Sequence, residues 1–181
     1  MGCKRCAERR ERERKARQAV AAAAKARAVR QKEKAAKALE LETAWHVWGW
    51  KFIHRFSMAL PPGPLEPAKL NHMRRVVQLF IETLPCNDCG EHATRYLAGG
   101  AAPRLGRVQT GHTLVVLLHE LHNDVNARTG KPTAPLTVLE GYKPVNLRIA
   151  FREYSAAAKR EPNPPVLALD TLDTHLKGLG L

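Results

Sequence analysis

Residues 67–92, PAKLNHMRRVVQLFIETLPCNDCGEH, run an amphipathic segment straight into a Cys-x-x-Cys pair. Leu70, Met73, Val77, Phe80 and Leu84 recur by threes and fours, the spacing of one helix face packed into a bundle seam. Pro85 interrupts that pattern, and Asn87 and Asp88 suit the start of a shorter helix running to Gly99-Gly100. Cys86 and Cys89 therefore sit one turn apart at a helix N-terminus, where unpaired N–H groups and the macrodipole favour a thiolate.

The segments on either side keep the helical period. TAWHVWGWKFIHRFSMAL, from Thr43 to Leu60, reads as a first core helix stopped by Pro61, Pro62 and Gly63. Thr113 is expected to cap another helix, whose stripe of Leu114, Leu117, Leu118, Leu121 and Val125 ends at Gly130 and Pro132. A short fifth helix is expected within Leu136 to Tyr154, and Pro162, Pro164 and Pro165 mark a linker beyond it. No core segment alternates with the strand period of two, so the fold class is all-α: four helices in a bundle plus a short fifth.

Ala7 to Leu41 is different, being built of Ala, Arg, Lys and Glu with almost no large apolar side chain and neither Gly nor Pro. That composition favours a helix, and the missing apolar stripe predicts one that projects into solvent or docks only weakly. The expected organisation is thus a basic arm over 1–42, a compact domain over 43–155 and a Pro-containing tail over 156–181. Of the formal net charge of +13, residues 1–42 supply +8, from 14 Lys/Arg against 6 Asp/Glu. Such an arm attracts acidic protein, nucleic acid or anionic membrane, and charge alone does not choose among them. No apolar run reaches the length of a membrane span, and the first twenty residues are too charged for a signal peptide, so a cytoplasmic protein is expected. Met1, Gly2 and Cys3 offer acylation positions, but Cys6 stands where the myristoylation pattern has Ser or Thr.

The 4 cysteines form two identical spacings, Cys3–Cys6 and Cys86–Cys89. Two such knuckles suit a tetrahedral zinc site, which would make the chain a zinc-stabilised, basic helical protein binding nucleic acid. A thioredoxin-like redox motif would need a βαβ unit that the helical periodicities exclude. A redox pair on a helical scaffold is the third reading, and it requires an electron acceptor. His119-Glu120-Leu121-His122 is one residue short of the zincin spacing, so no metal ligands are assigned there.

Three further matches occur in order. Trp45-x4-Trp50-x3-His54 opens the first core helix, FIETLPCNDC closes the second, and LHNDVNARTGKP, from Leu121 to Pro132, ends the fourth. Together they resemble the Erv/ALR family of FAD-dependent sulfhydryl oxidases, especially the short forms of large DNA viruses. The resemblance implies an FAD-binding helical bundle in which Cys86 and Cys89 are catalytic. It also implies that Trp50, His54, His122, Asn123 and Asn126 surround FAD, with Lys131 near its phosphates or ribose and Tyr142 near the adenine. Helical spacing agrees to this extent: Trp50 with His54, and His122 with Asn126, are i, i+4 pairs, each sharing a helix face. Leu117 and Leu84 stand where many members have Trp and Tyr, and the stapling disulfide of many cellular members is missing. Packing, dimerisation and bound FAD would then hold the bundle together.

The resemblance further implies the reaction. Thiols of a protein substrate, or of a Cys3/Cys6 shuttle pair, reduce the Cys86–Cys89 disulfide at Cys86; Cys89 faces FAD, and O2 is the final acceptor, giving H2O2. A thiol oxidase in a reducing cytoplasm is unusual. Assembly of disulfide-bearing virion proteins in a viral factory would accommodate one.

Overall fold

The computed structural model describes residues 4–42, 44–99 and 103–181, with side chains left aside at 4–7 and 37–42. It divides into two compact units, Met1–Glu42 and Thr43–Leu181.

The described residues of the first unit form one helix, α1 (Lys4–Glu42), roughly 58 Å long at 1.5 Å per residue. Nothing in its sequence breaks a helix. Its described side chains from Glu8 to Ala36 are exposed apart from a partly covered Glu11, as expected for a helix without an apolar face.

Among the described residues the second unit is built from helices: α2 (Trp45–Ala59), α3 (Pro67–Glu82), α4 (Asn87–Ala98), α5 (Gly111–Arg128), α6 (Leu147–Ala158) and α7 (Val166–Gly178). Two 3-10 segments, Leu105–Arg107 and Leu136–Tyr142, link them. Among the described residues there is no strand ladder, only an isolated bridge between Pro64 and Thr110. The core is continuous, with Phe52, Ile53 and Phe56 of α2, Met73, Val76 and Val77 of α3, and Leu114 and Leu118 of α5 almost fully shielded. α2 is the central element and packs on α5 and α6, while α3 packs on α4 and α7.

Two glycines let helices come close. The ring of Tyr154 on α6 lies 3.2 Å from where a Cβ at Gly49 would stand, so α6 seats against α2 at that point. At Gly111 a Cβ would fall 2.5 Å from the Pro61 carbonyl oxygen. Instead the Gly111 N–H donates to that oxygen at 3.0 Å, tying the start of α5 to the end of α2.

Three expectations need correction. Thr110 rather than Thr113 caps α5: the Thr110 hydroxyl accepts from the Thr113 N–H, and Thr113 returns the bond to the Thr110 backbone, a reciprocal capping box. The fifth helix expected within 136–154 is two elements, because the chain turns at Pro144 and restarts with Asn146 capping α6. Residues 156–181 are not a tail. They hold the end of α6 and all of α7, whose Leu169, Leu172 and Leu176 lie i, i+3 and i+7 and are at most 1% exposed.

Candidate active site

Cys86 and Cys89 are joined in a disulfide at the head of α4. Cys86 is the N-cap, its Sγ accepting from the Cys89 N–H at 3.3 Å. Cys86 is half-buried and Cys89 exposed, so the pair is open to an incoming thiol. The segment leading into it is fixed from behind by Tyr154, which is completely buried. Its hydroxyl donates to the Thr83 carbonyl at 3.0 Å and meets the Thr83 hydroxyl at 2.8 Å, and Thr83 ends α3 three residues before Cys86. Burial raises the phenol's pKa well above its usual value, which keeps it a donor.

A second group lies between α2, α5 and the 3-10 segment Leu136–Tyr142. The Trp50 and His122 rings stack with centroids 3.8 Å apart and planes within 4°. His54, one turn along α2, has its Nε2 2.9 Å from His122 Nδ1, and Tyr142 tilts over it at 5.1 Å. A single hydrogen is shared along the His54–His122 contact, so one ring donates and the other accepts. His54 is wholly buried, and its other ring nitrogen, Nδ1, has no hydrogen-bond partner.

Electrostatics keep both rings neutral. Burial, then the neighbouring His122 and His119, lower the His54 pKa to about 3. Burial, then His119 and Lys131, lower that of His122 to about 4. In the unfolded chain both titrate near the ordinary histidine value of about 6.5. Below that value the unfolded chain takes up protons that the folded one refuses, so stability falls as the pH drops from about 6.5 towards 4. His54 alone contributes a loss of roughly 2 kcal/mol by pH 5, or about 5–10 °C in melting temperature. Melting curves from pH 7 to 5 should show that decline, and His54→Gln, which cannot titrate, should flatten it; an equal slope in both proteins would contradict the assignment.

The other expected ligands divide. The Asn123 side chain pairs with the backbone of Ala134: its Nδ2 donates to the Ala134 carbonyl and its Oδ1 accepts from the Ala134 N–H, both at 2.9 Å. His119 also lies on that carbonyl, at 2.9 Å. Asn123 is therefore occupied in clamping the 129–135 loop onto α5. Asn126 is partly buried one turn beyond His122, and its carbonyl receives the Lys131 N–H at 2.8 Å, which holds Lys131 beside α5. Lys131 is exposed, and its charge reaches His122 and His46, contributing to the lowered pKa of each. Cys3 and the Cys6 side chain lie outside the described residues.

Two features went unread in the sequence. His92, one turn after Cys89 on α4, contacts Asp124 of α5, with Nε2 and Oδ2 2.6 Å apart though poorly aligned for a hydrogen bond. This ties the disulfide's helix to α5. Tyr154, the support behind Thr83, is the other. Helical spacing places residues on a face but cannot pair faces 71 residues apart.

The cluster suits a planar heteroaromatic cofactor. It offers parallel aromatic faces, a buried ring nitrogen without a partner and, close by, a lysine cation. The disulfide in the same fold supplies a two-electron exchange partner.

Comparison with known proteins points the same way. A protein of Invertebrate iridescent virus 3, by name a putative FAD-linked sulfhydryl oxidase, is 31% identical over 120 residues, covering 64% of this chain and 76% of its own. A second of that name, from Invertebrate iridescent virus 6, is 31% identical over 99 residues, 51% of this chain and 88% of its own. The mitochondrial FAD-linked sulfhydryl oxidase of Schizosaccharomyces pombe is 34% identical over 84 residues, 46% of this chain and 44% of its own. No solved structure matches. The description Erv1 / Alr family fits residues 48–143, a span that holds the Cys86–Cys89 disulfide and the whole His54–His122 cluster, and on that match the chain belongs to the Erv1/Alr family.

Proposed function

We propose that this chain is a FAD-dependent thiol oxidase that forms disulfide bonds in protein substrates. The observation that carries the reading is the closed Cys86–Cys89 disulfide at the head of α4, in one compact unit with a partly buried His–Trp–Tyr cluster in which the wholly buried His54 leaves its Nδ1 unpartnered. The disulfide supports a thiol-exchange site, and the aromatic cluster supports a place where a flat ring would lie.

The reaction starts when a substrate thiolate bonds to Cys86 Sγ, the Cys86–Cys89 bond breaks and Cys89 leaves as a thiolate. The positive end of the α4 dipole favours a thiolate in its first turn, and the Cys89 N–H already donates to Cys86 Sγ. A second substrate thiolate then attacks the substrate sulfur of the mixed disulfide, releasing Cys86. The substrate has lost two electrons and two protons, and Cys86 and Cys89 are left as a dithiol. When bound, FAD supplies a two-electron acceptor for that dithiol and hands the electrons to O2, giving H2O2. Trp50, His54, His122 and Tyr142 would hold it, with Lys131 supplying a cation for its phosphates and Asn126 bordering the site. Asn123 acts one step removed, by fixing the 129–135 loop.

Loss of the aromatic wall tests this assignment. Wild-type protein should purify yellow with about one flavin per chain, whereas Trp50→Ala should lose most of it while keeping its helical circular dichroism. Colourless wild-type protein carrying stoichiometric zinc would favour the nucleic-acid-binding alternative.

Cys3 and Cys6 are proposed as a shuttle that relays electrons from bulky substrates. Replacing both with Ser should leave oxidation of a small dithiol unchanged and slow that of a reduced protein; equal effects on both would remove the role. A homodimer is proposed because Ile149, Val166 and Leu167 leave apolar surface exposed on α6 and α7, which light scattering would check. No helix among the described residues is long and apolar enough to cross a membrane. The proposed site of action is the cytoplasm.

A further inference from the structure

From Arg14 to Lys32 the arm contains seven basic residues, Arg14, Lys15, Arg17, Lys25, Arg27, Arg30 and Lys32, and no acidic one. Arg14 and Lys15 are both engaged by Glu11. The other five have no ion pair among the described residues. At 100° per residue, those five spread over roughly 220° of the helix circumference. What lies between them is small: apart from Gln18 and Gln31, the remaining side chains are Ala and the exposed Val20 and Val29.

We propose that α1 binds double-stranded DNA, lying in the major groove with the cations of Arg14–Lys32 against the phosphates of both walls. Three properties of this helix select that partner over the others a basic arm attracts. An interfacial membrane helix needs Trp, Phe or Leu on one face and cations on the other, and this stretch has neither such residues nor such segregation. Docking into a protein groove needs apolar anchors at i, i+3, i+4 and i+7, which are also missing. A flat acidic surface would meet only one side of the helix and leave much of its charge unmatched. The major groove of B-DNA, about 12 Å wide, admits one α-helix and flanks it with phosphates on both sides. Slim Ala-rich walls help it enter. The deep, narrow major groove of A-form RNA does not admit it. Few side chains here can read base edges, so the binding is electrostatic and largely indifferent to sequence.

The inference rests on α1 alone and stands or falls separately from the oxidase reading. Its test uses the full chain and a fluorescent mixed-sequence DNA duplex of about 25 base pairs. Five phosphate contacts predict a slope of about −4.5 for log K against log salt, or roughly 500-fold weaker binding at 200 mM than at 50 mM. A variant with Arg17, Lys25, Arg27, Arg30 and Lys32 all replaced by Gln keeps helix propensity and should lose most of that slope and at least about 100-fold of the low-salt affinity. Its oxidation of a small dithiol should be unchanged, which controls for folding. Duplex binding undiminished in the variant would overturn the proposal. So would tighter binding to phosphatidylserine vesicles than to DNA at matched salt, or equal affinity for an RNA duplex.

Discussion

Cys89→Ser should stop thiol-dependent oxygen consumption, lowering turnover by roughly a thousandfold or more, because removing a reacting nucleophile removes the pathway rather than weakening it. The variant should do something further. With Cys89 gone, Cys86 can still exchange into a mixed disulfide, for example from a substrate pre-activated as a disulfide with a chromogenic thiol. No neighbouring sulfur can then expel the substrate, so the adduct should persist on a non-reducing gel. Cys86→Ser should be equally inactive and trap far less. The reverse pattern, with adduct accumulating only in Cys86→Ser, would show that substrate enters at Cys89, the more exposed of the two.

The second large effect concerns stability. Ending the chain after Arg160 removes Leu169, Leu172 and Leu176, which are buried against the bundle. At about 1.5–3 kcal/mol for each buried leucine, the loss is on the order of 5–9 kcal/mol, comparable with the whole stability of an ordinary domain. The truncated protein should therefore fail to fold. A milder variant keeps the idea testable where the truncation yields nothing soluble: Leu172→Ala should cost about 2–5 kcal/mol in urea unfolding. A truncated protein that unfolds at the wild-type urea concentration would mean that α7 contributes nothing to the core.

How much of the fold is legible in the sequence depends on the distance over which each residue finds its partner. α3 is plain from Leu70, Met73, Val77 and Phe80, because an amphipathic stripe needs only its own spacing; so is the head of α4, from Pro85 and the residues after Cys86. α7 has the same kind of stripe, yet Pro162, Pro164 and Pro165 just before it give the appearance of a linker. Those prolines do break the chain between α6 and α7, and α7 then folds back onto α3. The start of α5 is easily misplaced because Thr110 and Thr113 both carry a capping hydroxyl, and each uses it on the other. Pro144 is the missed stop that separates the 3-10 segment from α6.

The site is half legible. Trp50, His54, His122 and Tyr142 lie in one cluster of ring contacts. That His54 bonds His122 and that Asn123 is claimed by Ala134 depend on how α2, α5 and the 129–135 loop pack, which no local spacing encodes. The same holds for Thr83 with Tyr154 and for His92 with Asp124, pairs drawn from different helices.

In the proposed reaction, electrons pass from the reduced Cys86/Cys89 pair to a flavin held in the same domain. Anaerobic mixing with a small dithiol, followed by the flavin's visible absorbance, measures that passage directly. Wild-type protein should bleach rapidly, and the Cys86→Ser, Cys89→Ser double variant, with its flavin still bound, should stay yellow. Bleaching at the wild-type rate in the double variant would contradict a route through these two sulfurs.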